Sequence, residues 1–326
     1  MDSRTLGRTE LVVSRLGLGL AALGRPGYVN IGHGADLAGH TSVEDLARRT
    51  HAVLDAARES GILYFDAARS YGRAEEFLAS WLFARRIEPD DLTIGTKWGY
   101  TYTADWRVSA KVQETKDHGL ATLRRQWAET TAILGDHVDL LQVHSATLDS
   151  GILDDPSVHD ELARIRGEGE VAAIGLSLSG AAQAETLRRA MGVMSAGQRV
   201  FDVVQATWNA LEPSIGPTLA DASASGMGVL VKEALANGRL VRGAEAERVA
   251  EHARRLDTTP DAVALAYALE QPWADVVLSG AVSVEQLRHN LAASDLRLDD
   301  VAREALEALA MPPERYWRER AGLAWN

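Results

Sequence analysis

No cysteine occurs among the 326 residues, which excludes disulfides, thiolate nucleophiles and Cys-ligated metal sites and fits a reducing compartment. Positive charge is scarce as well: 34 Lys and Arg stand against 46 Asp and Glu, a formal net charge of -12, and no basic block interrupts the pattern. A nucleic-acid or anionic-membrane surface therefore lacks electrostatic support. No apolar run approaches the length that spans a bilayer, and the opening MDSRTLGRTELVVSRLGLGL lacks a continuous apolar stretch behind a basic cluster. The expectation is a cytoplasmic chain with no nucleic-acid or membrane partner. Linkers rich in Pro and Gly and low-complexity tracts are also missing, so a single domain over 1–326 is expected. No GxGxxG follows the first strand-like run, which counts against a doubly wound dinucleotide-binding sheet.

What is present is a repeat of short apolar runs, many ending on a polar or small residue: RLGLGLAAL (15–23), ILYFD (62–66), LTIGTK (92–97) and VDLLQVH (138–144). The series continues with VAAIGLS (171–177), FDVVQ (201–205), GVLVK (228–232) and DVVLSG (275–280), eight in all. Runs without alternation are the pattern of parallel strands buried on both faces, and amphipathic helical segments separate them. Several helices carry their own boundaries. Thr41 and Ser42 precede one and Gly61 follows it, Thr259 and Pro260 open another before Pro272, and Ser283 with Gln286 has the capping-box spacing. Eight β/α units in this length predict a (β/α)8 TIM barrel of the α/β class, with the doubly wound sheet as the competing architecture. RTL and LVVS around Gly7 predict an N-terminal β-hairpin over about 4–14 that plugs the barrel, residues 24–39 read as a long loop, and 296–326 as a C-terminal loop and tail.

In a parallel barrel every strand delivers its last residue to one rim, where such folds keep their sites. Asp66, Lys97, His144, Ser177, Gln205 and Lys232 then converge, with Tyr71 five residues beyond the Asp. An Asp, a Lys, a His and a Tyr form a proton-handling group. A metal site is not expected, because it would need several His or carboxylates and Lys97 would oppose the ion. An ammonium beside a phenol favours the phenolate, so Lys97 is expected to make Tyr71 more acidic, while Asp66 keeps the lysine charged. His144 would donate toward the same substrate oxygen. Taken singly, the Asp reads as a turn cap, the Lys as an ion-pair partner and the Tyr as a rim aromatic. Convergence on one rim is what favours chemistry.

In this order the motifs resemble the aldo-keto reductase superfamily: FDAARSYGRAEEFL, IGTKWG, VDLLQVHS, IGLSLSG, VVQATWNALEP and SGAVSVEQLRHNLAA, with RTLGRTELVVSRLGLG before them. The resemblance covers residues from about 4 to about 295. It implies a (β/α)8 barrel that binds an extended nicotinamide cofactor and interconverts a small aldehyde or ketone and an alcohol. It further implies Tyr71 as general acid in reduction and general base in oxidation, Asp66 and Lys97 as its tuning pair, His144 as the carbonyl-orienting residue, and Ser177 and Gln205 on the nicotinamide carboxamide. Leu235, Asn237 and Gly238 are expected along the pyrophosphate, and Gly280, Ser283, Gln286 and Asn290 in the last cofactor loop and helix.

This chain departs from the family pattern at three places. Leu178 stands where Asn commonly follows the fifth-strand serine, and Lys232 where an aromatic often stacks on the nicotinamide. The last loop offers Arg288 as its one cation for a 2′-phosphate, though helix-start N–H groups after Ser283 could receive one. NADP(H) is accordingly placed slightly ahead of NAD(H). Trp98 and Tyr100 are expected in the substrate pocket, with Tyr102, Trp106, Trp208, Tyr316, Trp317 and Trp325 as further aromatics near its lip. Two rivals from other classes stand beside this reading: a Schiff-base lyase using Lys97 or Lys232, and a nucleotide-binding sensor or scaffold with little turnover.

Overall fold

The computed structural model describes residues 1–326. Eight strands close a parallel barrel: β1 (Leu16–Gly19), β2 (Tyr64–Asp66), β3 (Thr93–Trp98), β4 (Leu140–Ala146), β5 (Ala173–Leu178), β6 (Val203–Thr207), β7 (Gly228–Lys232) and β8 (Val276–Ser279). Neighbours in sequence are neighbours in space, and β8 returns to β1 through Val277, Leu278 and Ser279. One helix follows each strand: α1 (Val43–Glu59), α2 (Ala74–Arg85), α3 (Leu120–Leu134), α4 (Pro156–Gly167), α5 (Gln183–Ala190), α6 (Gly216–Ala224), α7 (Pro260–Leu269) and α8 (Val284–Leu291). The caps foreseen at Ser42, Thr259 and Ser283 all accept the expected backbone N–H. A right-handed crossover for each unit leaves the sheet no free edge, which is why eight short strands suffice.

The N-terminal hairpin pairs Ser3–Thr5 with Val12–Ser14. Its Leu6, Leu11 and Val13 pack with Tyr64, Leu140 and Val203 at the strand starts, so it floors the barrel as anticipated. Inside, Gly95 leaves room for Tyr64: a Cβ there would lie 2.3 Å from the Tyr64 hydroxyl, and that hydroxyl donates 3.2 Å to the Asp66 carboxylate above it. The floor thus supports the rim directly.

Two expectations needed correction. Residues 24–39 are mostly loop but include a helical turn, His33–Leu37. Residues 296–326 are not a simple tail: Asp299 caps a helix over Asp300–Glu307, and Pro313 opens another to Ala321 that buries Tyr316 and Trp317. A ribbon of Tyr100–Tyr102 with Glu114–Lys116 and a helix at Ala246–Arg255 are further insertions. No helix is long and apolar enough to cross a membrane.

Candidate active site

The rim of strand ends opens into a cavity of about 680 Å³ that runs from Tyr71 and His144 to Asn290 at the far end of α8. At the first end, the Lys97 ammonium binds the Asp66 carboxylate and donates 3.0 Å to the Ala67 carbonyl, both side chains being almost wholly buried. The other Asp66 oxygen accepts from Tyr64, Gln142 (3.2 Å) and Gln205 (2.9 Å). Four donors on one carboxylate hold the charge that the buried ammonium requires.

Tyr71 reaches this group because the chain beyond β2 stays tied to β3. Ala67 N–H donates to the Gly95 carbonyl and Arg69 N–H to the Lys97 carbonyl, after which a turn closes from Tyr71 N–H to the Ala68 carbonyl. Gly24 lets the loop after β1 pack on that turn, since a Cβ there would lie 2.2 Å from the Tyr71 carbonyl oxygen. The Tyr71 ring stands edge-on to His144 at 5.4 Å and lies 4.9 Å from the Lys97 ammonium. Tyr71 lines the cavity together with His144.

One electrostatic expectation is reversed. The Tyr71 phenol is held well above its ordinary pKa by burial first and then by the Asp66 charge, and Arg25 is the cation that pulls the other way. The Lys97 charge is spent on Asp66 and on Ala67. His144 is held well below the usual imidazole range by burial and by Lys97, Lys232 and Arg25, so it is neutral. Its Nδ1 lies 3.3 Å from the Ser70 hydroxyl, and its carbonyl accepts from His118 Nε2 at 2.8 Å.

Several predicted residues lie elsewhere than expected. Trp98 is 1% exposed and lies edge-on to His118 outside the cavity wall. The reason is strand alternation: Lys97 points inward, so its successor points to the helices. Tyr100, on the ribbon, does line the cavity, with its ring 5.0 Å from His144. Ser177 is fully buried, its hydroxyl oxygen accepting 2.8 Å from Ser145 N–H, while Ser145 and Ser179 line the cavity. The pairing register shifts between Val143 and Ala146 beside this contact, with Ser145 at φ 53°. Of the remaining aromatics only Trp325 reaches the cavity: Trp106 donates to the Thr41 carbonyl, Trp208 stacks on Tyr267 and Tyr316 bonds Asn209.

Lys232 lines the wall and donates 2.8 Å to Thr207, with Glu233 3.8 Å away. Burial pushes its amine down to about 8. Glu233 is bound by Arg320 from the last helix and is held down to about 2, against its burial, by Arg320 and Lys232. Arg25, 2% exposed, donates 3.1 Å to Glu114 and lies over the Trp325 ring at 4.7 Å. Arg25, Glu114, Glu233 and Arg320 carry no periodic signal in the sequence, because loops and the final helix bring them in.

Along the rest of the cavity lie Gln205, Leu235, Asn237, Gly238, Gly280, Ser283, Gln286 and Asn290, all foreseen. Asn237 and Asn290 are 5% and 2% exposed, and the carboxamide oxygen of each is buried without a donor. Such an oxygen costs about 1–3 kcal/mol unless a ligand supplies the hydrogen bond. A long, bent, donor-rich molecule such as a nicotinamide dinucleotide fits these residues. No group of His, Cys, Asp or Glu has metal-site geometry.

Comparison with known proteins agrees. A profile of the aldo/keto reductase family matches residues 15–310. The chain is 26% identical over 349 residues to an NADH-specific methylglyoxal reductase of Escherichia coli, covering 95% of this chain and 99% of that one. It is 31% identical over 164 residues to a pyridoxal 4-dehydrogenase of Microbacterium luteolum, a match that spans 44% of this chain and only 43% of that enzyme. A solved Pseudomonas aeruginosa structure described as a candidate aldo-keto reductase superposes with TM-score 0.65 at 28% identity, covering 93% of this chain and 95% of that one. An aldo-keto reductase from Bacillus halodurans shares the fold, with TM-score 0.71 at 23% identity over 96% and 97% of the two chains. The chain belongs to the aldo/keto reductase family and is an oxidoreductase of carbonyl and alcohol groups.

Proposed function

We propose that this protein uses NAD(P)H to interconvert a compact polar aldehyde and its alcohol, with Tyr71 as the general acid and base. The observation that carries the reading is Tyr71 edge-on to neutral His144 in the wall of a cavity that also holds two orphaned asparagine oxygens. When bound, a reduced nicotinamide supplies the hydride. The chain does the rest. Tyr71, kept protonated by burial, gives its proton to the carbonyl oxygen in reduction and takes it back in oxidation. With Ser70 donating to Nδ1, His144 presents an Nε2–H to the same oxygen and fixes where it sits. Gln205, its nitrogen committed to Asp66, offers its oxygen to the nicotinamide carboxamide. Asn237, Gly238, Asn290 and the loop from Gly280 hold the remainder of the dinucleotide.

The substrate end combines charge with aromatic surface. Arg25, Tyr28, Tyr100, Glu114 and Trp325 enclose it, and the last residue ties the lid down, Asn326 N–H donating to the Tyr28 carbonyl at 3.2 Å and its side chain to the Asn30 carbonyl. Schiff-base chemistry at Lys97 is disfavoured by its embedded ion pair. The test is loss of reduced-nicotinamide absorbance with methylglyoxal, pyridoxal and aldoses. No turnover with any of a broad aldehyde panel, despite coenzyme binding, would return the sensor reading.

A further inference from the structure

We infer that the far end of this cavity is built to accept the ribose hydroxyls of NAD(H) and to turn away the 2′-phosphate of NADP(H); the inference rests on the oxidoreductase reading above. Asp36, Asp261, Glu285 and His289 line that end, and Arg242 is the one guanidinium among them. Arg242 is already engaged. It donates 2.7 Å to the Asp36 carboxylate and 3.3 Å to the Gly32 carbonyl. Arg288, the cation on which a phosphate reading would lean, is exposed and outside the cavity wall.

The start of α8 is also closed to an anion. The Ser283 hydroxyl accepts from Gln286 N–H at 3.1 Å, the Gln286 side chain accepts from Val282 N–H at 2.9 Å, and Glu285 sets a carboxylate in the first turn. That carboxylate occupies the favourable end of the helix dipole that a phosphate would need. Three carboxylates against one committed guanidinium would repel a dianion, whereas carboxylates are good acceptors for ribose hydroxyls. The second, independent sign that a ligand belongs here is the orphaned Asn290 oxygen, which lies on the same stretch of wall and is 2% exposed. It calls for a neutral donor such as an amine or hydroxyl.

Besides α8, three elements build this end. Asp36 comes from the loop after β1, Arg242 from the insertion after β7 and Asp261 from the first turn of α7. Arg49 on α1 fastens the Asp36 turn to the β8 loop by donating to the Asp36, Leu37 and Val282 carbonyls. The discriminating carboxylate is therefore held in place and does not depend on a loose loop.

The test titrates the full-length protein with NADH and NADPH separately and follows quenching of its tryptophan fluorescence. NADH is expected to bind tighter by about tenfold or more. Asp36→Asn, which releases Arg242, and Asp261→Asn should each narrow the gap, with circular dichroism melts confirming that the variants fold. NADPH binding as tightly as NADH in the wild type, or a gap that neither folded variant changes, would overturn the inference and leave the oxidoreductase reading standing. Binding of neither coenzyme would overturn both.

Discussion

The two ends of the barrel are made of different material. At the floor, nine buried residues around Leu6, Tyr64 and Val276 are all apolar or aromatic, and the hairpin seals them from water. At the rim, buried Asp66, Lys97, His144 and Arg25 share the space with orphaned Asn237 and Asn290 oxygens. Non-glycine residues with positive φ also gather there, at Ser145, Glu233, Ala236 and Asn237. Polar burial and left-handed backbone each cost stability, and they persist because the floor and the helical layer hold the rim in shape. Stability and chemistry are thus separable in this molecule, and substitutions at each end should fail in different ways.

Tyr71→Phe should give the largest effect at the rim, a fall in turnover of roughly a hundredfold to ten-thousandfold, with coenzyme affinity and melting temperature nearly unchanged. A variant that turns over at the wild-type rate would remove Tyr71 from its role. Lys97→Met blurs the division, because it leaves Asp66 buried and uncompensated. About 3–5 kcal/mol of stability should go with the activity, and adding Asp66→Asn should restore the first without the second. Denaturant midpoints beside turnover numbers check both.

Between floor and rim, Gly95→Ala pushes a methyl against the Tyr64 hydroxyl and should cost about 1–3 kcal/mol, relieved by Tyr64→Phe. If Gly95→Ala abolished turnover without lowering stability, the separation of the two ends would not hold. The smallest effect concerns Lys232. Its amine, pushed down from 10.5 to about 8, repels an oxidised nicotinamide only while charged. Binding of the oxidised relative to the reduced coenzyme should rise a few-fold as pH passes about 8, and be flat in Lys232→Met. Between about 8 and 10.5 the unfolded chain holds the extra proton, so wild-type stability should also rise with pH in that window; the Met variant should lose that rise.

Much of the architecture could be read from the sequence because eight apolar runs ending on polar residues leave few alternatives. The rim group at Asp66, Lys97 and His144 followed from strand ends alone, and Tyr71 from its distance to one of them. Trp98 was misplaced although the alternation of a strand already forbids two successive inward residues. The bond from Ser145 N–H to the Ser177 hydroxyl was not legible, because a register shift beside Ser145 leaves no mark in the sequence. Arg320 meets Glu233 across 87 positions, and no local pattern announces such a pairing. The weakened acidity of Tyr71 was missed because burial and the Asp66 charge outweigh a lysine whose charge is already matched.

The hairpin that closes the floor has a consequence for how the chain folds. Arg8 N–H bonds the Gly226 carbonyl at 2.9 Å, so the hairpin docks on a segment far along the chain, and a contact of such sequence separation is slow to form. Until that contact forms, the Leu6 and Leu11 side chains that the floor buries have no cover from water.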